Sequence, residues 1–186
     1  MKNYIPSLLL LLLTVNVTAQ TKYFTKAGSI IFSSKSSLEN IEAINNKVVS
    51  VWDVATGQIE LAVLMKGFEF EKALMQEHFN ENYVESDKYP KAVFTGTIEN
   101  SKTISLVKDN IVIVKVNGSL TMHGVTNPVN TTVTITVKNS IVQASCSFSI
   151  FLGDYKIAIP SIVSDKINKA IAIAVSIPSF RLLTSK

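Results

Sequence analysis

Between Val112 and Val137 apolar and polar residues alternate almost without a break, and this pattern constrains the fold more than any other feature of the chain. Val112, Val114, Val116, Gly118, Leu120 and Met122 fall on one side, with Lys115, Asn117, Ser119, Thr121 and His123 on the other. Val129, Thr131, Val133, Ile135 and Val137 then repeat the arrangement opposite Asn130, Thr132, Thr134, Thr136 and Lys138. A side-chain period of two belongs to extended backbone, which sends successive residues to opposite faces, so each segment reads as a strand with one apolar and one wet face. The stretch Gly124-Val125-Thr126-Asn127-Pro128 has turn formers at its ends and predicts a hairpin closed by this five-residue connection.

Shorter runs of the same kind predict strands at Lys22–Thr25, Ser29–Ser33, Lys47–Asp53, Gln58–Lys66, Ala92–Ile98, Ile141–Phe151 and Ala170–Pro178. Turn-type clusters separate them at Lys26-Ala27-Gly28, Asn45-Asn46, Thr56-Gly57, Lys108-Asp109-Asn110 and Asn139-Ser140. About nine short strands with regular punctuation indicate an all-β sandwich or barrel. One interval departs from the pattern. From Glu71 to Tyr83 the apolar residues Leu74, Met75, Phe79 and Tyr83, together with His78, recur every three or four residues, which predicts one short helix. It ends before Lys88-Tyr89-Pro90, because the proline pushes Tyr89 toward extended backbone.

The first nineteen residues stand apart. Lys2 precedes an apolar run, Leu8 to Leu13, and a small-residue site, Val17-Thr18-Ala19, the arrangement of a secretory signal peptide cut before Gln20. The expectation is a leader over residues 1–19 and one domain over 20–186, exported to the periplasm or the extracellular space. The apolar run is well short of the roughly 20 residues a spanning helix needs, and no later stretch reaches that length, so stable membrane insertion is not expected. Cys146 is the single cysteine, which leaves no internal disulfide and no thiol beside the cleavage site for a lipid anchor. With 47% hydrophobic residues the domain can rest on its own core.

The residues give little support to catalysis. A metal centre needs three or four converging ligands, and beyond the dispersed carboxylates the chain offers only His78, His123 and Cys146. Cys146 is in phase with the apolar Val142, Ala144 and Phe148, whereas His123 lies on the wet face of its strand. No G-x-S-x-G elbow and no glycine-rich phosphate loop is present. Neither catalytic residues nor a metal or cofactor are therefore expected. Eighteen Lys+Arg against fourteen Asp+Glu, without a basic cluster, argue against a nucleic-acid partner. What remains is the apolar interior. A barrel of about eight strands is just wide enough to be filled by side chains or to hold one small ligand. The inward candidates, Val114, Val116, Val133, Ile135, Ile171, Ile173 and Val175, are mostly medium-sized and β-branched, which permits a cavity without requiring one.

The segment Gly118-Ser119-Leu120-Thr121-Met122-His123-Gly124-Val125-Thr126-Asn127-Pro128-Val129 resembles the strand-and-turn hallmark of the YceI family of secreted lipocalin-like proteins. Leu74 to Tyr83, followed by Lys88-Tyr89-Pro90-Lys91-Ala92-Val93-Phe94, is similar to the family's helix and strand entry, and Val54 to Ile59 to its earlier strand-turn-strand. The resemblance implies an antiparallel eight-stranded lipocalin-like β-barrel with one short helix closing one end. It also implies a tunnel for a lipid or isoprenoid ligand: a polyisoprenoid, an isoprenoid quinone or a fatty-acid-like molecule. Some members are dimeric, so a homodimer belongs to the expectation. On this basis Met75, Phe79, Phe94, Val114, Val116, Leu120, Met122, Val133, Ile135, Phe148 and Ile173 are expected to line the cavity. His78, Tyr89, Pro90, Gly118, Thr121, His123, Gly124, Thr126 and Pro128 are expected to serve as structural motif residues. In the late stretch Phe148 to Tyr155, Ile150 or Phe151 stands where members often carry an arginine. The alternative is an envelope-stress or protein-interaction module whose barrel is filled and takes no lipid.

Overall fold

The alternating segments become long strands in a computed structural model that describes residues 22–183. They are β1 (Lys22–Lys35), β2 (Asn40–Asp53), β3 (Gln58–Leu64), β4 (Glu69–Phe70), β5 (Lys91–Ile98), β6 (Asn110–Met122), β7 (Val125–Lys138), β8 (Ile141–Phe151) and β9 (Ala170–Leu182). Apart from β4, each pairs antiparallel with its neighbours in the chain, and β9 pairs back onto β1. Eight strands therefore close into a barrel, and closure leaves no long open edge. The two-residue β4 straps the end of β2 through Ala43 and Ile44. The expected all-β barrel with one short helix is the architecture observed. Residues 1–19, read as a leader, lie outside the described residues.

Several expected turns are absent. Lys26-Ala27-Gly28 and Asn45-Asn46 do not interrupt the chain; they lie inside β1 and β2 and face each other across a local irregularity, where Gly28 pairs with Val48 and Ile30 with Asn45. β1 has one extra residue between Thr25 and Gly28 and β2 one between Asn45 and Val48, a pair of bulges that sequence composition alone does not separate from turns. The buried Asn45 side chain repairs the gap, donating from Nδ2 to the Leu64 carbonyl (2.9 Å) while its Oδ1 accepts the Lys47 amide (2.9 Å). The five-residue connection is also corrected. Met122 pairs with Val125, so β6 and β7 are joined by His123-Gly124 alone, with φ of 52° and 72°. Two positive-φ residues make the tight turn whose twist matches that of paired strands, and Asn139-Ser140 does the same between β7 and β8. The helix is shorter than expected: α1 covers Ala73–His78, and a π-helical turn continues over Phe79–Tyr83.

Connections alternate between the two ends of the barrel. The β1–β2 turn, the segment 65–90 with α1, the His123-Gly124 turn and the segment 152–169 gather at one end, the lid. The β2–β3 turn, the segment 99–109 and the Asn139-Ser140 turn gather at the other, the floor. The floor is packed solid. Trp52, Ile98, Ile104, Val114, Ile135, Val137, Val142 and Phe180 belong to one buried cluster. Trp52 sits between Tyr23 (ring centroids 6.2 Å) and Phe180 (6.0 Å). Its indole N–H donates to Ser101 Oγ (3.1 Å), and Ser101 Oγ donates to the Val54 carbonyl (3.0 Å), so this end has no idle polar atom on its largest side chain.

Candidate functional site

Above the floor the inward side chains do not meet. They leave a cavity of about 540 Å³ within the range usual for small-molecule sites. All nine strands contribute residues to its walls, nearly all of them apolar. The cause is the one the alternation suggests: valines and isoleucines from facing strands are too short to cross the barrel axis where no Trp or Phe fills it.

Nine of the eleven residues expected to line a cavity border it: Met75, Phe79, Phe94, Val116, Leu120, Met122, Val133, Phe148 and Ile173. Val114 and Ile135 do not. At 8% and 1% exposure they are buried in the cluster that contains Trp52 and Phe180, so they meet side chains instead of space. Only part of the helical stripe packs on the core: Phe79 and Tyr83 lie against a buried cluster. No residue of α1 is buried, Leu74 is 61% exposed, and Leu74, Met75 and His78 all border the cavity.

The lid side carries an aromatic group of which the sequence pointed only to Phe79. Phe32 of β1, Phe68 and Phe70 around β4 and Phe79 of the π turn form a four-ring cluster, with centroids 5.1–5.7 Å apart in its contacting pairs. All four border the cavity. The signal was present in Phe68-Glu69-Phe70, whose alternation was too short to read as a strand. Ile150 borders the cavity and is buried, whereas Phe151 points outward at 57% exposure. Cys146 also borders it, and burial pushes its thiol up to about 11.

The motif residues gather around the lid. Gly118 and Gly96 face each other on β6 and β5, and the Phe94 ring lies over both. Gly124 abuts the Tyr89 ring, whose edge packs on His123 at 4.7 Å between centroids. His123 Nδ1 donates to the Tyr155 carbonyl (2.8 Å), and Nε2 lies 2.9 Å from Glu85 Oε2. The imidazole thus ties the segment after the helix to the segment after β8. Thr121 and Thr126 share a 2.8 Å hydroxyl contact across the hairpin, the Pro90 carbonyl accepts the Met65 amide (2.9 Å), and the exposed Pro128 sits opposite Ser119. His78 is exposed beside the cavity, apart from this cluster.

Charged side chains border the cavity only toward its open, lid side: Glu39, Lys72 and Lys166, with His78 nearby on α1. Glu39 Oε1 and Lys72 Nζ pair at 3.0 Å. Among the described residues no three or more His, Cys, Asp or Glu side chains converge, and no helix is long and apolar enough to cross a membrane.

Solved structures share this barrel at low sequence identity. A polyisoprenoid binding domain from Saccharophagus degradans, implicated in plant cell wall breakdown, superposes with a TM-score of 0.75 at 12% identity, covering 89% of this chain and all of its own. BcnA of Burkholderia cenocepacia gives 0.66 at 15% identity, covering 80% of this chain and 94% of its own. A mutant YceI protein of Campylobacter jejuni with a monobromobimane guest gives 0.53 at 15% identity, with full coverage of both chains. No curated protein sequence matches. The model of the YceI-like domain matches residues 15–178, and the chain belongs to that family.

Proposed function

We propose that this protein is an exported, non-catalytic carrier that encloses the apolar chain of one lipid, a polyisoprenoid, isoprenoid quinone or fatty-acid-like molecule, inside its barrel. The observation that carries the reading is the unfilled length of the barrel above its floor, walled by nearly unbroken hydrocarbon and open beside α1. A protein-interaction module would need no such space inside its barrel. Transfer energetics favour the reading: about ten methylenes at ~0.8 kcal/mol each give roughly 8 kcal/mol, against an association cost of about 4 kcal/mol or more. A preformed cavity adds no collapse penalty for the protein. The polyisoprenoid binding domain of Saccharophagus degradans, which shares the fold, points the same way.

Export rests on the leader pattern of residues 1–19, and a homodimer on the family resemblance; light scattering of the purified chain reads the latter. The carrier reading is tested by displacement of the neutral fluorophore N-phenylnaphthylamine from the cavity by lipids. Wild-type protein binds and releases the dye on lipid addition. Leu120→Trp, which fills the space beside Phe94, keeps the fold and loses both. Equal dye and lipid binding by the two proteins would refute it.

A further inference from the structure

The bore is blind. Trp52, Phe180 and their neighbours seal the floor, and the one polar atom of the Trp52 side chain is already bonded to Ser101. Along β9 the cavity reaches from Ile171 to Phe180. The nine rises between them, at about 3.3 Å each on a strand tilted by ~40°, give a depth of roughly 23 Å. Over that depth the inner wall offers a ligand hydrocarbon and a few neutral groups: Thr131, whose hydroxyl is donated to backbone carbonyls of Thr132 and Ser147, the Cys146 thiol and, at the upper end, the Ser34 hydroxyl, which accepts the Asn168 amide. An ionised head there would lose its water without gaining a partner, so it has to stay at the mouth while the tail enters first.

The mouth is not neutral. Of the formally charged residues that border the cavity, Glu39 is matched by Lys72, whereas Lys166 forms no ion pair among the described residues. Lys72 and Lys166 come from different elements, α1's leading edge and the β8–β9 connection. The latter is tied to the end of β1, where Ser34 Oγ accepts the Asn168 amide (2.8 Å). Two ammonium groups against one carboxylate give the rim a positive balance, and none of the three belongs to the packed core.

Resting on the carrier reading, we infer that the cavity is built for a single-tailed amphiphile with an anionic head, a carboxylate or a phosphate monoester, held at the mouth by Lys72 and Lys166. A tail longer than the bore protrudes, so chain length adds affinity only until the floor is reached.

The test compares three probes with one tail, hexadecanoate, hexadecyl phosphate and hexadecanol, by displacement of N-phenylnaphthylamine from the full mature chain. The two anions bind about three- to fivefold tighter than the alcohol at low salt, the range of one or two exposed ion pairs. The preference disappears in about 1 M sodium chloride, where the screening length falls to ~3 Å. Lys166→Gln and Lys72→Gln each reduce it, and Glu39→Gln increases it. Hexadecanol binding as well as both anions at low salt, or a preference untouched by either lysine substitution, would overturn the head-group assignment and leave the carrier reading intact. Failure of all three probes to bind would overturn the carrier reading and the inference together.

Discussion

The ring of Phe94 occupies the space that a side chain at Gly118 would need: a Cβ built there would sit 2.5 Å from Phe94 Cζ and 2.5 Å from the Thr95 carbonyl oxygen. The aromatic ring covers the bare Gly96–Gly118 pair from inside the barrel and forms part of the cavity wall. Gly118→Ala has to move backbone as well as a ring, so it is expected to cost about 2–3 kcal/mol in urea unfolding, the scale of an overpacked core. Gly153→Ala, with nothing within 4 Å of the added carbon, is the control and should be near neutral.

His123 bridges two lid segments that share no strand pairing. Its bonds reach Glu85, just past the π turn, and Tyr155, just past β8. Replacing it with alanine leaves the Tyr155 carbonyl and Glu85 without this partner and should cost about 1–3 kcal/mol. Limited proteolysis is expected to cut within residues 84–90 of His123→Ala well before it cuts the wild-type chain. Equal cleavage rates would mean that the tie does not hold the lid.

Floor and wall should answer differently to truncation. Ile135 is 1% exposed and packed on every side, so Ile135→Ala is expected to cost about 3 kcal/mol through lost transfer energy and a new void. Leu120 already borders open space, and Leu120→Ala enlarges an existing cavity, which should cost about 1 kcal/mol. Denaturant midpoints of the two variants, at unchanged slope, check the order.

Cys146 gives a pH test of the interior. The thiolate is the reactive form, and burial raises the thiol from an ordinary 9.0 to about 11, so at pH 8 the reactive fraction is about a hundredfold smaller than for an unperturbed thiol. Alkylation by iodoacetamide should be correspondingly slow at pH 8 and accelerate up to about pH 11. Because the residue borders the cavity, saturation with a lipid should slow it further. An alkylation rate that levels off near pH 9 would contradict this.

The barrel was legible because β6 and β7 carry their alternation over eleven and nine residues, long enough for period two to dominate local turn chemistry. Where composition competes with pairing, the sequence misleads. Asn45-Asn46 and Lys26-Ala27-Gly28 have turn composition yet form a pair of bulges, because register with the facing strand decides the outcome there. The hollow above the floor was not readable, since β-branched residues such as Val133 and Ile135 have the same alternation whether they meet a facing side chain or empty space. Only the three-dimensional position of Trp52 and Phe180 separates the floor from the wall. Among the charged residues at the mouth, Glu39, Lys72 and Lys166 lie far apart in the chain, and no spacing rule joins them.

The central claim, that the open interior houses a lipid chain, is tested most directly by native mass spectrometry of the mature protein purified from its own cells without detergent. One additional mass per chain, released by organic solvent and identified as a single lipid, is the predicted result. A spectrum of bare protein alone, unchanged after incubation with a total lipid extract, would contradict it.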